Sequence, residues 1–380
     1  MKNTLPAATL NPREERRLLR GHLWAFRNEF KRLPEDLKDG DIVDVFSDSR
    51  RFVGRGYYQT SGGIAVRLLT KHQEAIDSAF FAERFSQAQA LRERLFPGER
   101  VYRWIYGESD GLPGLVVDRY DSLVVVRGSS PCYAAQAAAI EAACRTAEGV
   151  NAVWLDLGGE DTARAEFPES FRFSIDGVAG ELYPADAQKT GLFLDQRRNW
   201  PVLGKMAAGL RVFDGHCYHG YWACHAALGG ALSVTAVDTS QAAIDQAQRN
   251  AELNGVADKC HFECISVEES LEKGPTYDII VLDPPAFAKS RAHTHKALGR
   301  YEALNALALK KIADHGGFLI TSSCSHFIDA ATLLEAVKHA ACSTQRRVSL
   351  LDLRGAAPDH PVLLAMPETA YLKCLVLRVE

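Results

Sequence analysis

From about residue 185 to the C-terminus, short apolar runs alternate with helical segments, which restricts this part of the chain to parallel-sheet α/β architectures. Leu210-Arg211-Val212-Phe213 reads as a first strand, followed by the turn Asp214-Gly215-His216-Cys217-Tyr218-His219-Gly220 and an Ala-rich helix. Ser233-Val234-Thr235-Ala236-Val237 reads as a second strand closing on Asp238, ahead of a helical pattern from Ser240 to Asn254-Gly255. Two later runs, Asp278-Ile279-Ile280-Val281-Leu282 and Gly317-Phe318-Leu319-Ile320-Thr321, have the composition of buried strands. The first leads into Asp283-Pro284-Pro285, the second into Ser323-Cys324-Ser325. Carboxyl ends of neighbouring parallel strands line one crevice, so the pattern predicts a carboxylate and a thiol in one pocket.

The preceding half has a different texture. Residues 1–75 alternate short apolar runs with turn signals, as in 40–46, 52–58 and 64–69, and predict a small β-rich domain. A helix is expected from about Ser78 to Leu95, stopped by Pro97-Gly98. Strands at 115–118, 123–126 and 152–155 and a helical stretch at 134–147 predict a central α+β domain. The expected division is therefore 1–75, 76–180 and 181–380.

Composition narrows the setting. At 47% hydrophobic and 24% charged residues the chain has ordinary globular composition, and no apolar run approaches the roughly 18 residues of a membrane span. With no secretory signal pattern at its N-terminus, a cytoplasmic protein is expected. Nine cysteines without a Cys-x-x-Cys pair predict reduced thiols and no structural zinc site. The net charge of −4 argues against indiscriminate nucleic-acid coating, yet residues 1–75 carry fourteen Lys and Arg against ten Asp and Glu. Basic surface there suits a phosphate backbone, and chance on a solvated face explains the excess equally well.

Asp238 stands about twenty residues past the first turn, where an acid commonly holds the hydroxyls of a cofactor ribose, with Asp214, Gly215 and Gly220 forming the turn beneath the ligand. The glycines are too few for a pyrophosphate, whereas S-adenosylmethionine has none to cradle. A thiol with a carboxylate suits methylation of a pyrimidine carbon: carbon 5 of cytosine is a poor nucleophile until a thiolate adds at carbon 6. Cys324 is either a small buried filler, the usual state of a free cysteine, or the nucleophile, with Cys217 its rival, and Asp283 is the group that meets the ring edge at N3. The loop from Ala286 to Arg300 carries Lys289, Arg291, Lys296 and Arg300 without an acidic residue, and is expected to grip phosphates flanking the target. Pro284 fixes the loop at the base, and Phe287 either packs on cofactor or base or anchors the loop.

Taken together, residues 188–197 (Gln-Lys-Thr-Gly-Leu-Phe-Leu-Asp-Gln-Arg), 283–287, Tyr301 to Asn305, Ser323-Cys324-Ser325-His326 and Asp359-His360-Pro361 resemble the RlmI-type family of 23S ribosomal RNA cytosine-5 methyltransferases. Residues 21–26 and 54–58 are similar to that family's N-terminal PUA domain, and Gly107 to Tyr120 to its central domain. The resemblance implies a Rossmann-like, seven-stranded class I methyltransferase domain preceded by a β-rich PUA domain and a central α+β domain. It implies S-adenosyl-L-methionine as cofactor, with Phe193, Asp195, Gln196 and Arg197 among its contacts. Ser266 stands where the family usually has an acid near the adenine, and the loop after the first strand lacks the family's Gly pair. The implied partner is 23S ribosomal RNA, free or in an assembling large subunit, held in part by Arg16, Arg17, Arg20 and Arg27. A homodimer is compatible with the sequence. Two alternatives remain open at this point: a purine-modifying RNA methyltransferase that forms no adduct, and a non-catalytic ribosome-assembly factor.

Overall fold

The computed structural model describes residues 5–158, 170–183, 190–288 and 290–380. The chain groups into two compact units, one of Met1–Phe171, Leu182–Gly191 and Pro358–Thr369, the other of Arg172–Glu181, Leu192–Ala357 and Ala370–Glu380.

The first unit contains two sheets. Its six-stranded sheet runs in the order Trp24–Phe26, Ile64–Thr70, Phe52–Tyr58, Ile42–Phe46, Ala7–Leu10, Phe30–Arg32. The inward positions Val43, Val45, Val53, Val66 and Leu68 form a small core. Gly56 sits where the register between two of these strands shifts, and a Cβ there would lie 2.0 Å from the Arg67 carbonyl oxygen, so only glycine fits. The second sheet runs Ala152–Asp156, Leu123–Gly128, Leu115–Tyr120, Val101–Tyr106. Against it packs the helix Ser78–Leu95, whose N-terminus is capped by the Asp77 carboxylate accepting from the Ala79 and Phe80 amides. Tyr57 of the first sheet shares a core with Trp104, Phe81 and Tyr133 around the second.

Arg92 and Asp110 form a buried ion pair in this unit. Arg92, fully buried, meets Asp110 through two bonds of 2.7 Å and also donates to the Asp359 carbonyl. The Asp359 carboxylate accepts from the Arg103 amide at 2.9 Å and contacts His360 Nδ1 at 2.9 Å. Asp359-His360-Pro361 is thus a structural motif that ties a late segment of the chain into this unit.

The second unit is built on a seven-stranded sheet of β1 (Arg211–Gly215), β2 (Ser233–Asp238), β3 (Cys260–Cys264), β4 (Ile279–Leu282), β5 (Gly317–Ser323), β6 (Val348–Arg354) and β7 (Lys373–Val379). Its order is β3-β2-β1-β4-β5-β7-β6, with β1 to β5 parallel and β7 antiparallel to both neighbours. Strand order reverses between β1 and β4, and ligands of open α/β sheets bind outside the carboxyl ends at such a point. The helix Tyr221–Leu228 after β1 is buried on nearly every side, as a composition with His225 as its one basic residue requires.

Arg172–Glu181, which spans the expected boundary at residue 180, groups with this second unit. It lies in a hairpin, Phe171–Ile175 with Val178–Leu182. The Asn254 side chain bonds the Ala179 amide and carbonyl, and Asn250 and Gln246 hold the backbone of Glu181. Those partners lie some seventy positions downstream, so local pattern gives no sign of them.

Candidate active site

The Asp-Pro-Pro and Ser-Cys-Ser motifs meet because their strands are neighbours in register. Leu282 pairs with Thr321, which sets Asp283 level with Ser322 and leaves Cys324 two residues further out. Cys324 is half-buried, with its Sγ 4.0 Å from the Pro284 carbonyl oxygen. Two hydrogen bonds fix the strand end: Tyr301 Oη donates to Ser323 Oγ at 2.9 Å, and Ser325 Oγ donates to the Ala288 carbonyl at 2.9 Å. The second ties the loop after β5 to the loop after β4.

Asp283 is met by two neutral donors. Gln196 Nε2 reaches Oδ1 at 3.0 Å and Trp222 Nε1 reaches Oδ2 at 3.1 Å. Burial, augmented by the charge of Asp195, pushes its pKa up to about 6 although both donors favour the ionised form. Asp283 is therefore a carboxyl that exchanges a proton near neutrality, as an acid or base in this pocket requires.

Gln196 also donates to Ser322 Oγ at 3.2 Å and accepts from Asn199 Nδ2 at 2.6 Å, so its amide orientation is fixed. Next to it, Asp195 is buried; its Oδ2 accepts from Tyr371 Oη at 2.5 Å, and its Oδ1 has no partner among the described residues. Phe193 lies 4.9 Å from the Tyr218 ring. Arg197 is fully buried and pairs with Asp176 of the hairpin at 3.1 Å, a structural contact.

The loop after β1 takes left-handed backbone at residues other than glycine. His216 and Tyr218 both have left-handed backbone, at φ 63 and φ 49, which costs about 1–3 kcal/mol each at non-glycine residues. Asp238 holds the loop, taking the Tyr218 amide on Oδ2 at 3.1 Å and the Ser240 amide on Oδ1 at 3.0 Å. Asn250 Nδ2 bonds the His219 carbonyl at 2.9 Å. Each Asp238 oxygen retains acceptor capacity for a hydroxyl. Asp214 is buried and accepts from the Ala223 amide at the start of the following helix, with burial and neighbouring Asp283 driving its pKa far up. Gly215 accepts the Asp283 amide on its carbonyl at 3.2 Å, while Gly220, at φ +73, starts the helix where a Cβ would lie 2.9 Å from that of Ala247. Asp214 and Gly220 thus build the loop from beneath.

Ser266, in the place of the family's acid, caps the helix Val267–Lys273 through its Oγ on the Glu269 amide at 3.2 Å. Cys217 is 4% exposed and burial drives its thiol pKa far up, which makes it a poor nucleophile beside half-buried Cys324. Phe287 packs on Tyr301 with ring centroids 4.7 Å apart, under the Arg300 guanidinium at 3.9 Å from its centroid. That is the loop-anchoring arrangement. Lys289 and the Arg291 side chain lie outside the described residues. In the first unit Arg16 and Arg20 are exposed, whereas Arg17 pairs with Glu29 and Arg27 donates to Gln59 and Tyr58. Trp222, Ser322, Asn199 and Tyr371 escaped the sequence reading, since nothing in an Ala-rich helix or a strand end marks a side chain that reaches another element.

The residues fit S-adenosylmethionine: Asp238 has spare acceptor capacity, Asp195 has a buried oxygen without a described partner, and both carry the negative charge that suits a sulfonium amino acid. Fold and site define an S-adenosylmethionine-dependent methyltransferase. The family model described as S-adenosylmethionine-dependent methyltransferase matches residues 158–377, and a PUA-like domain model matches residues 8–71. The chain is 35% identical to the ribosomal RNA large subunit methyltransferase I of Aeromonas hydrophila, over 96% of this chain and 97% of the relative. It is 33% identical to the protein of that name from Alteromonas mediterranea, over 97% and 98%. A Streptococcus mutans structure described as a SAM-dependent methyltransferase superposes with a TM-score of 0.83 at 22% identity, covering 98% of this chain and 100% of that one, which extends the shared fold along the chain. The chain belongs to the ribosomal RNA large subunit methyltransferase I family.

Proposed function

We propose that this protein methylates carbon 5 of a cytosine in 23S ribosomal RNA through a covalent adduct on Cys324. The observation that carries the reading is the half-buried thiol beside a carboxyl whose pKa lies near 6, on the ends of adjacent parallel strands. The names of the relatives supply the substrate class. Methylation of a purine ring nitrogen needs no thiol, so the pair favours cytosine.

The Cys324 thiolate adds to carbon 6 and forms an S–C6 bond, while the displaced π electrons run toward N3, where protonated Asp283 donates its proton. Carbon 5 is then the nucleophilic end of an enamine. S-adenosylmethionine, when bound, would supply the sulfonium methyl, the C5–methyl bond forming as the S–methyl bond breaks and leaves a neutral thioether. Loss of the carbon-5 proton to solvent and return of the S–C6 electrons to Cys324 restore the ring, and the N3 proton goes back to Asp283. Gln196 and Trp222 keep the Asp283 carboxyl oriented throughout. Asp238 would hold the ribose, and Phe193 and Asp195 the remainder of the cofactor.

Asp238→Ala is expected to weaken S-adenosylmethionine binding by about 1–3 kcal/mol in calorimetry, because charge-assisted bonds to ribose hydroxyls are lost. An unchanged affinity would place the ribose elsewhere. Outward-facing Arg16 and Arg20 are assigned to backbone phosphates. The double change Arg16→Ala/Arg20→Ala should lower the salt slope of RNA binding by about 2 and leave cofactor affinity intact. An identical slope would remove these residues from the RNA surface. Nucleotide-resolution mapping of 5-methylcytosine in ribosomal RNA from cells with and without the protein tests the whole reading: one 23S site should lose its mark, and an unaltered map would overturn it.

A further inference from the structure

A buried lysine lies at the strand end that carries the thiol, and the reaction just described does not use it. Lys373 opens β7, and the antiparallel register sets it opposite Ser323, the residue before Cys324. It is 8% exposed. Nζ donates to the Ser325 carbonyl at 2.6 Å and to the Tyr371 carbonyl at 2.7 Å, and among the described residues no carboxylate lies within ion-pair distance of it. Both carbonyls could be held by a neutral donor at no electrostatic expense. A buried ammonium without a contacting anion is costly unless it serves a charge nearby.

The groups around it identify that charge. Tyr301 reaches the strand end from the helix Thr294–Lys311, Asp283 stands on the loop after β4, and Asp329 caps the helix Ala330–Thr344. His326 packs on Tyr371 at 5.3 Å, and Tyr371 in turn donates to Asp195. Asp283 enters the reaction in its neutral form, so the negative charge nearest Lys373 is that of Asp329 and of the Cys324 thiolate, and Lys373 is the buried cation that offsets it. We infer that Lys373 is a positioning residue for Cys324: its ammonium pins the backbone on either side of the strand end and stabilises the thiolate form of the nucleophile.

Desolvation brings the Lys373 pKa down to about 8, with the negative charge of Cys324 the largest influence in the other direction and that of Asp329 next. Coupling between two sites is reciprocal, so an ammonium favoured by the thiolate favours the thiolate equally. Lysine beside a thiol lowers the thiol pKa by the same physics.

The inference rests on Cys324 as the nucleophile but is tested without RNA. Full-length protein is alkylated with iodoacetamide across a pH series and each cysteine is followed by peptide mass spectrometry. In Lys373→Met the rate at Cys324 at pH 7 should fall about tenfold, the equivalent of a thiol pKa one unit higher, and should rejoin the wild-type rate above pH 10. Lys373→Arg should retain most of the reactivity. Exposed Cys264 and Cys342 serve as references, and buried Cys144 and Cys374 report any unfolding. A Cys324 profile in a folded Lys373→Met protein that matches wild type would overturn the inference. If that variant unfolds, the reciprocal experiment decides: in Cys324→Ser, NMR of the reductively methylated Lys373 amine should show a lower pKa than in wild type, and an equal pKa would overturn it. A shifted thiol profile together with failure to form an RNA adduct would leave Lys373 in this role and reject the covalent reaction. An adduct with an unshifted profile would do the reverse.

Discussion

Cys324→Ala is expected to lower methyl transfer by more than about 10³-fold while S-adenosylmethionine affinity stays within twofold of wild type, since removal of a nucleophile costs the reaction and not the binding of the other substrate. The side chain is small and half-buried, and the strand end stays held by the Tyr301–Ser323 and Ser325–Ala288 hydrogen bonds when it is shortened. Cys217→Ala makes the contrast. That thiol is buried within the loop after β1, and its replacement should affect stability more than rate. Activity retained in Cys324→Ala and lost in Cys217→Ala would reverse the assignment.

Asp283→Asn should lower activity by about 10²–10⁴-fold, the usual worth of a positioned acid or base. Because the acid form is needed for proton donation to N3 and the pKa is about 6, the Asp283-dependent part of wild-type kcat/KM should decline tenfold per pH unit above that value. Stability responds over a lower window. A carboxyl whose pKa is raised on folding is favoured by the native state in its protonated form. The unfolded chain therefore gives up its proton first as pH rises from about 4 to 6, and native stability falls over that window. Asparagine removes this dependence at the cost of one weakened hydrogen bond. The melting temperature of Asp283→Asn relative to wild type should accordingly climb between pH 4 and pH 7. A difference that stays flat across that range would mean that Asp283 is ionised in the native protein throughout.

Much of this site is legible in the sequence because strand ends are local. The apolar runs before Asp238, Asp283 and Cys324 mark where strands stop, and the topology of a parallel sheet gathers the residues just past those ends. Reach is the part that local pattern hides. Trp222 looks like one more apolar residue of a buried helix, yet its indole nitrogen holds the carboxyl. Arg197 belongs to the motif that resembles a cofactor contact, but the hairpin that supplies Asp176 lies outside any local pattern. Ser266 reads as a missing acid, whereas its hydroxyl caps a helix. In the first unit, four arginines look equivalent along the chain. Only tertiary contacts separate exposed Arg16 and Arg20 from Arg17 and Arg27, which hold strands. The shared core around Tyr57 has a practical consequence as well: truncation at residue 75 would open that core, so point substitutions are the sound test of RNA binding.

The central claim, a covalent Cys324–cytosine adduct, is tested most directly with 23S ribosomal RNA in which cytosine is replaced by 5-fluorocytosine. Fluorine at carbon 5 blocks the final elimination after methyl transfer. Wild-type protein with S-adenosylmethionine should therefore accumulate a protein–RNA complex that survives denaturation and maps to the peptide carrying Cys324, and Cys324→Ala should form none. A denaturation-resistant complex that persists in Cys324→Ala, or turnover of natural RNA to 5-methylcytosine by that variant, would contradict the account.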